Sequence, residues 1–206
     1  VSASFTQEDT DPDNPDDPDT PEWENPFTDV AEGDWFYDAV KYVHENEMMV
    51  GTSDALFGPD DTTTRAMIVT ILYRLEGSPA AAGSSFADVA ADAYYADAVA
   101  WAAQNGIVMG YSDTQFAPDD NITREQMASI LYRYASYKGY DVSAQSELAG
   151  YTDISAISDY ALTAMKWANG SGLINGRTDT TIEPQESASR AEVAAILMRF
   201  CENVAK

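Results

Sequence analysis

One pattern occurs three times in this chain, and it leaves few folds open. Asp29, Asp88 and Asp153 each follow an aromatic residue by two positions, at Phe27, Phe86 and Tyr151. Next come Gly51, Gly110 and Gly176, then Pro59, Pro118 and Pro184, then Arg65, Arg124 and Arg190. The first step is 59 residues at each position; the second is 65 at the aspartate and 66 from the glycine onward. One residue has therefore entered the third copy early. Units of this size in tandem bury their apolar faces against one another rather than alone. The copies span 26–80, 85–138 and 150–202, separated by a small-residue stretch (77–84) and a polar one (138–150).

Inside each copy the period is helical. Phe36, Ala39, Val40 and Val43 stand at i, i+3, i+4 and i+7; Tyr95, Ala98, Val99, Ala102 and Ala161, Ala164, Met165, Ala168 repeat the stripe. A second stripe runs Ile68, Ile71, Leu72, Leu75, then Met127, Ile130, Leu131, Tyr134, then Val193, Ile196, Leu197, Phe200. Each copy is thus helix, loop, helix, and the fold is all-α. Ser189 with Glu192, and Thr123 with Gln126, have the spacing of a capping box at the start of the second helix. The first copy has Thr64 but Met67, which leaves half a box.

Composition narrows the partners. With 45% hydrophobic residues the chain can fill a core, while a net charge of -24 makes nucleic acid or an anionic membrane an unsuitable surface to bind. No apolar run has the roughly 20 residues of a membrane span. Neither a signal peptide at Val1 nor a covalent sorting tail is visible, so the reading is of a mature or partial chain, and any attachment to a cell wall would have to be non-covalent. Residues 1–25 carry nine acids, no Lys or Arg and four prolines, the pattern of an acidic linker. A calcium loop through Asp11, Asp13, Asp16 and Asp17 lacks the turn glycine and closing glutamate of that motif, so no metal site is expected. Cys201 lies on an apolar helix and reads as an inert buried thiol.

Of the 11 basic residues, six fall at two repeated positions. Arg74, Arg133 and Arg199 lie toward helix C-termini, where the dipole favours a cation, and read as structural. Arg65, Arg124 and Arg190 follow the N-cap, where the dipole opposes them. Two readings stay open: an ion pair with Asp29, Asp88 or Asp153, or an anion pocket with the helix start and loop N–H groups. Gly51, Gly110 and Gly176 read as turn or C-cap positions, or as places where a ligand approaches the backbone. Trp35, Tyr94 and Tyr160 open the first helix of each copy, as packing residues or as stacking platforms for a sugar ring; Phe57 and Tyr111 are equally ambiguous. His44, the one histidine, falls on the solvent side of its helix, and no catalytic set or cofactor site can be assembled, so the chain does not read as an enzyme.

The motifs now carry a resemblance. Phe86-Ala-Asp-Val, Tyr94-Tyr-Ala-Asp-Ala-Val-Ala-Trp-Ala, Gly106-Ile-Val-Met-Gly-Tyr, Phe116-Ala-Pro-Asp and Ile122-Thr-Arg-Glu-Gln resemble the S-layer homology repeat. So do Phe27-Thr-Asp-Val with Thr64-Arg-Ala, and Ile157-Ser-Asp-Tyr-Ala, Gly172-Leu-Ile-Asn-Gly-Arg and Ser189-Arg-Ala-Glu. The resemblance implies a pseudo-threefold arrangement around a central three-helix bundle, with grooves between repeats. It further implies an extracellular wall-anchoring module of a larger surface protein. The grooves would bind an anionic secondary cell-wall polysaccharide, commonly through a pyruvylated N-acetylmannosamine terminus. On that reading Arg65, Arg124 and Arg190 contact the pyruvyl group, and Gly51, Gly110, Gly176, Trp35, Tyr94, Asp29, Asp88 and Asp153 complete the sites. Peptidoglycan is the alternative polymer, and a protein–protein assembly module of a surface array is the alternative function.

Overall fold

The computed structural model describes residues 23–205. Six helices follow in order: α1 (Tyr37–Glu45), α2 (Arg65–Leu75), α3 (Ala96–Gln104), α4 (Arg124–Lys138), α5 (Leu162–Gly170) and α6 (Arg190–Asn203). A 3-10 turn at Ile154–Ala156 marks the place where the third copy takes its extra residue. Among the described residues there are no strands, only isolated bridges.

The second helix of each repeat starts as its sequence predicts. Thr123 and Ser189 form complete capping boxes with Gln126 and Glu192, and Thr64 accepts only from the Met67 N–H. The other donors of each first turn are satisfied from a different repeat. Arg65 and Ala66 N–H donate to the carbonyls of Asp120 and Pro118, at 2.9 and 3.0 Å. Arg124 and Glu125 donate in the same way to Glu186 and Pro184, and Arg190 and Ala191 to Asp61 and Pro59. Repeat one is capped by two, two by three, and three by one. Just before these helices a backbone ring closes the cycle: Thr63 N–H to Ala188, Ala188 N–H to Ile122, and Ile122 N–H to Thr63. The starts of α2, α4 and α6 therefore meet on one pseudo-threefold axis. At their far ends Tyr134 of α4 packs 5.8 Å from Phe200 of α6 and donates its hydroxyl to Glu76, the residue that ends α2. Lys138 adds an ion pair to Glu76 at 2.8 Å.

The outer helices follow the same cyclic rule. α3 packs on α2, α5 on α4, and α1 on α6, so the first helix of the chain is held by the last. Val40, Val43, Val99, Ala102, Met165 and Ala168, all from the predicted first stripes, are fully buried in this one core.

Three expectations need correction. Leu75, on the second stripe, is 41% exposed because α2 stops there, whereas its counterparts Tyr134 and Phe200 sit in longer helices and are buried. His44 is half-buried rather than solvent-facing: its Nδ1 accepts from the Trp23 indole N–H at 3.3 Å and its ring meets Phe27 edge-on. The acidic segment lies outside the described residues through position 22, but its last part does not behave as linker. Trp23 packs on Tyr37 and His44, and the Asn25 side chain accepts from Phe27 N–H and donates to the Val30 carbonyl. Cys201 is half-buried, with burial pushing its thiol pKa up, as an inert thiol would be.

Because every repeat borrows helix caps and packing partners from the others, a single repeat is not a folding unit. The peptide 85–138 alone should give the far-UV circular dichroism of an unfolded chain. Truncation after Gly150 should unfold repeat one together with the missing third, since α1 loses α6; a cooperative melt from either fragment would contradict this architecture.

Candidate functional site: three inter-repeat grooves

Each groove begins with a chain of bonds running from an aspartate through a loop to an arginine of another repeat. The Asp88 carboxylate accepts from the N–H groups of Phe116 and Ala117, at 2.9 and 2.7 Å. The Phe116 carbonyl in turn accepts from Arg65 Nε at 3.0 Å, while Arg65 Nη2 reaches the Met109 carbonyl at 3.1 Å. Asp29 holds Phe57 and Gly58, and Arg190 bonds the carbonyls of Phe57 and Val50. Asp153 holds Ile182 and Glu183, and Arg124 bonds the carbonyls of Ile182 and Asn175. The second residue of each braced pair, Gly58, Ala117 or Glu183, has positive φ, a strained backbone for the two non-glycines that the aspartate's paired bonds stabilise.

This arrangement matches neither of the two readings of the arginines as drawn. They do not pair with the aspartates; they cap loop carbonyls, with Arg65 and Arg124 buried at 4% exposure and Arg190 half-buried. Arg65 lies 4.7 Å from the ring centres of both Tyr111 and Phe116, and Arg190 the same distance from Phe57. The helix starts are not open to an anion either, because neighbouring loops already occupy their N–H groups. Asp29, Asp88 and Asp153 brace the loops behind the grooves rather than lining them.

The glycines are required for a steric reason. The turn after the first helix takes its left-handed residue earlier, at Glu47, Gly106 and Gly172. A Cβ on Gly51, Gly110 or Gly176 would instead meet the carbonyl oxygens of Ser53, Gln115 or Thr178 at 2.3, 2.3 and 2.4 Å. Each of these glycines also lines a groove.

Every groove draws on all three repeats. One, of about 430 Å³, collects Arg65 of repeat one, Gly110, Tyr111, Gln126 and Arg133 of repeat two and Tyr160 of repeat three. A second, of about 340 Å³, collects Arg124, then Gly176, Arg177, Glu192 and Arg199, then Trp35. The third, of about 250 Å³, collects Arg190, then Gly51, Thr52, Met67 and Arg74, then Tyr94. Trp35, Tyr94 and Tyr160 are 65%, 65% and 54% exposed, an open aromatic face at each groove.

The second arginine set, read from the sequence as structural, turns out to line the grooves as well. Nine residues are about two and a half helical turns, so Arg65 and Arg74 leave opposite sides of α2 and enter neighbouring grooves. Arg124 with Arg133, and Arg190 with Arg199, do the same. That spacing was the signal in the sequence; the dipole argument concealed it. Arg74 and Arg133 form no hydrogen bond or ion pair among the described residues, although Arg133 is half-buried and burial lowers its pKa. The motif's fourth residue is also displaced: Met67 faces Arg190, while Gln126 faces Arg65 and Glu192 faces Arg124. The missing glutamate therefore alters the Arg190 groove, not the Arg65 groove.

Comparison with known proteins bears on this geometry directly. The S-layer homology domain model matches three times, at 26–66, 85–128 and 150–194. The chain belongs to the S-layer homology family. It is 35% identical over 181 residues to an endoglucanase of Bacillus sp. (strain KSM-635), covering 87% of this chain and 19% of that protein. It is 30% identical over 170 residues to the surface-layer 125 kDa protein of Lysinibacillus sphaericus, covering 81% and 14%. To the cellulosome-anchoring protein of Acetivibrio thermocellus it is 29% identical over 163 residues, covering 74% and 35%. The chain thus spans less than a fifth of the first two relatives, and the endoglucanase's name describes a protein most of which lies beyond the match. Membership places this S-layer homology triplet outside the cell, at the wall.

Two predictions test the bracing that shapes the triplet's grooves. Burial would raise the Asp88 and Asp153 carboxyls, but hydrogen bonds from Phe116 and Ala117, or from Ile182 and Glu183, outweigh it. With the charges of Arg65 and Arg124 they hold both below the ordinary value. A depressed folded pKa stabilises the fold above the unfolded value of about 3.9, and that stabilisation is lost as pH falls through the folded value. Asp88 is exposed and solvent screens its bonds, so Asp88→Asn should destabilise at pH 7 by about 1 kcal/mol. The gap to the parent in urea melts should narrow between about pH 5 and pH 3. Arg65→Ala strands one buried and one half-buried carbonyl and should lower stability by about 2 kcal/mol, with Arg65→Lys recovering under half because one ammonium cannot reproduce the fork.

Proposed function

We propose that this cell-surface anchoring module holds a larger surface protein on the cell wall non-covalently, by binding an acidic wall polysaccharide in the Arg65 and Arg190 grooves. One observation carries the reading. In a chain of net charge -24, all seven arginines line the three grooves and, among the described residues, no lysine does. The acidic body repels a polyanion everywhere else, so an acidic saccharide is directed to the grooves.

The chemistry in each of these two grooves suits a sugar carrying a carboxylate. Arg133 and Arg74 offer whole guanidinium forks, and Arg65 and Arg190 each keep Nη1 free while Nε and Nη2 hold the loop. Tyr160 and Tyr94 present a ring on which the apolar face of a pyranose stacks. A pyruvate ketal on N-acetylmannosamine has both features, and it is the ligand we assign. Binding per groove is modest, and two grooves on one polymer surface raise retention by avidity.

The residues to change are those with no structural partner. Arg74→Ala/Arg133→Ala should leave the melting temperature within about 2 °C of the parent, since neither guanidinium holds the fold. Retention on purified, protein-free wall sacculi should fall at least tenfold, each single change should retain some binding, and stripping the acidic polymer from the sacculi should abolish retention of the parent. A double variant that pellets like the parent would sink the assignment.

A further inference from the structure

The Arg124 groove differs from the other two at four points. First, two of its three cations are engaged by a carboxylate, and the third, Arg199, has its Nη1 on the Leu173 carbonyl at 3.3 Å. Arg124 donates from Nε to the Ile182 carbonyl, from Nη1 to Glu192 at 3.1 Å and from Nη2 to the Asn175 carbonyl. Arg177 reaches Glu192 with Nε and Nη2, both at 2.7 Å, and Glu183 with Nη1 at 3.1 Å. The Glu192 carboxylate lies between two guanidiniums, in the place an acidic ligand group would need. The other grooves have Gln126 and Met67 there.

Second, the residue before the groove glycine is Asn175, whose side-chain amide forms no hydrogen bond among the described residues. Its counterparts Met109 and Val50 are apolar. Third, the aromatic platform is Trp35, the largest of the three. Fourth, a neighbouring cavity of about 560 Å³ shares Asn175 and Gly176 with this groove and is lined by Ser146, Asn169, Thr178 and Tyr151, with Asp179 its one acid. The Tyr151 hydroxyl accepts from Gly176 N–H at 2.9 Å and from Asn169 at 3.4 Å, which leaves its own proton to donate. Repeats one and two carry Phe27 and Phe86 at that position.

We propose that the Arg124 groove and this adjoining cavity bind an uncharged saccharide residue, so that the triplet reads a neutral sugar in one groove and acidic ones in two. An incoming anion must compete with Glu192 for Arg124 and Arg177, the two arginines beside the groove glycine, whereas hydroxyl and amide groups pair with Asn175 and Tyr151 without breaking those ion pairs. A ring face on Trp35 adds stacking. The proposal rests on the reading of the other grooves as acidic-saccharide sites.

Calorimetric titration of the whole chain tests it with two probes, triacetylchitotriose and the pyruvate ketal of methyl N-acetylmannosaminide. Chitotriose should bind once per chain; Trp35→Ala and Asn175→Val should each weaken it at least tenfold, and Arg74→Ala/Arg133→Ala should not. The ketal should bind twice with the opposite pattern, and Glu192→Gln, which keeps a capping partner but removes the carboxylate charge between Arg124 and Arg177, should raise it to three. No chitotriose binding at about 10 mM, chitotriose binding that survives Trp35→Ala, or three ketal sites in the parent would overturn the proposal. If the ketal does not bind at all while chitotriose still requires Trp35, the acidic-saccharide reading falls and the neutral site stands.

Discussion

An arginine at the first position of a helix is opposed by the helix dipole, and in this fold that residue makes the contact on which the rest depends. Arg65, Arg124 and Arg190 each cross to the next repeat and hold two loop carbonyls there. Those carbonyls belong to loops pinned from behind by Asp29, Asp88 and Asp153. The same loops return the favour by capping the helix start from which the arginine departs. Each bond is worth about 1 kcal/mol net, but they form a closed cycle, so no repeat can leave without exposing unsatisfied groups in both others.

The cycle also makes the grooves. An arginine from one repeat, a glycine turn and second helix from the next, and an aromatic residue from the third must all be in place before any groove exists. Binding and folding are therefore parts of one equilibrium, and a ligand spanning a groove ties three repeats together. This division of labour assigns the arginines different duties. The N-terminal set is committed largely to the loops, and Arg74 and Arg133 supply unengaged charge.

Threefold symmetry in the backbone is not carried through to the side chains. Glu192, Gln126 and Met67 occupy equivalent positions and leave their facing arginines paired, partly free and unopposed respectively. Asn175, Met109 and Val50 vary in the same way at the rim. A triplicated frame with divergent linings presents three chemistries to one polymer.

Much of this was legible in the residues. The 59-residue step, the two helical stripes and the Ser189–Glu192 and Thr123–Gln126 boxes determined an all-α triplet, because periodicity and capping are local properties of the chain. Membership of the S-layer homology family followed from motifs in register. The sequence alone did not tell which repeat each side chain serves. Arg65 faces a loop 51 residues ahead and Arg190 one 133 residues behind, and no local rule encodes that reach. For the same reason Arg74, Arg133 and Arg199 read as dipole cations, and Met67 gave no sign that it faces Arg190. Helix geometry fixes which side of α2 a residue leaves, but only the closure of α1 onto α6 decides what lies on that side.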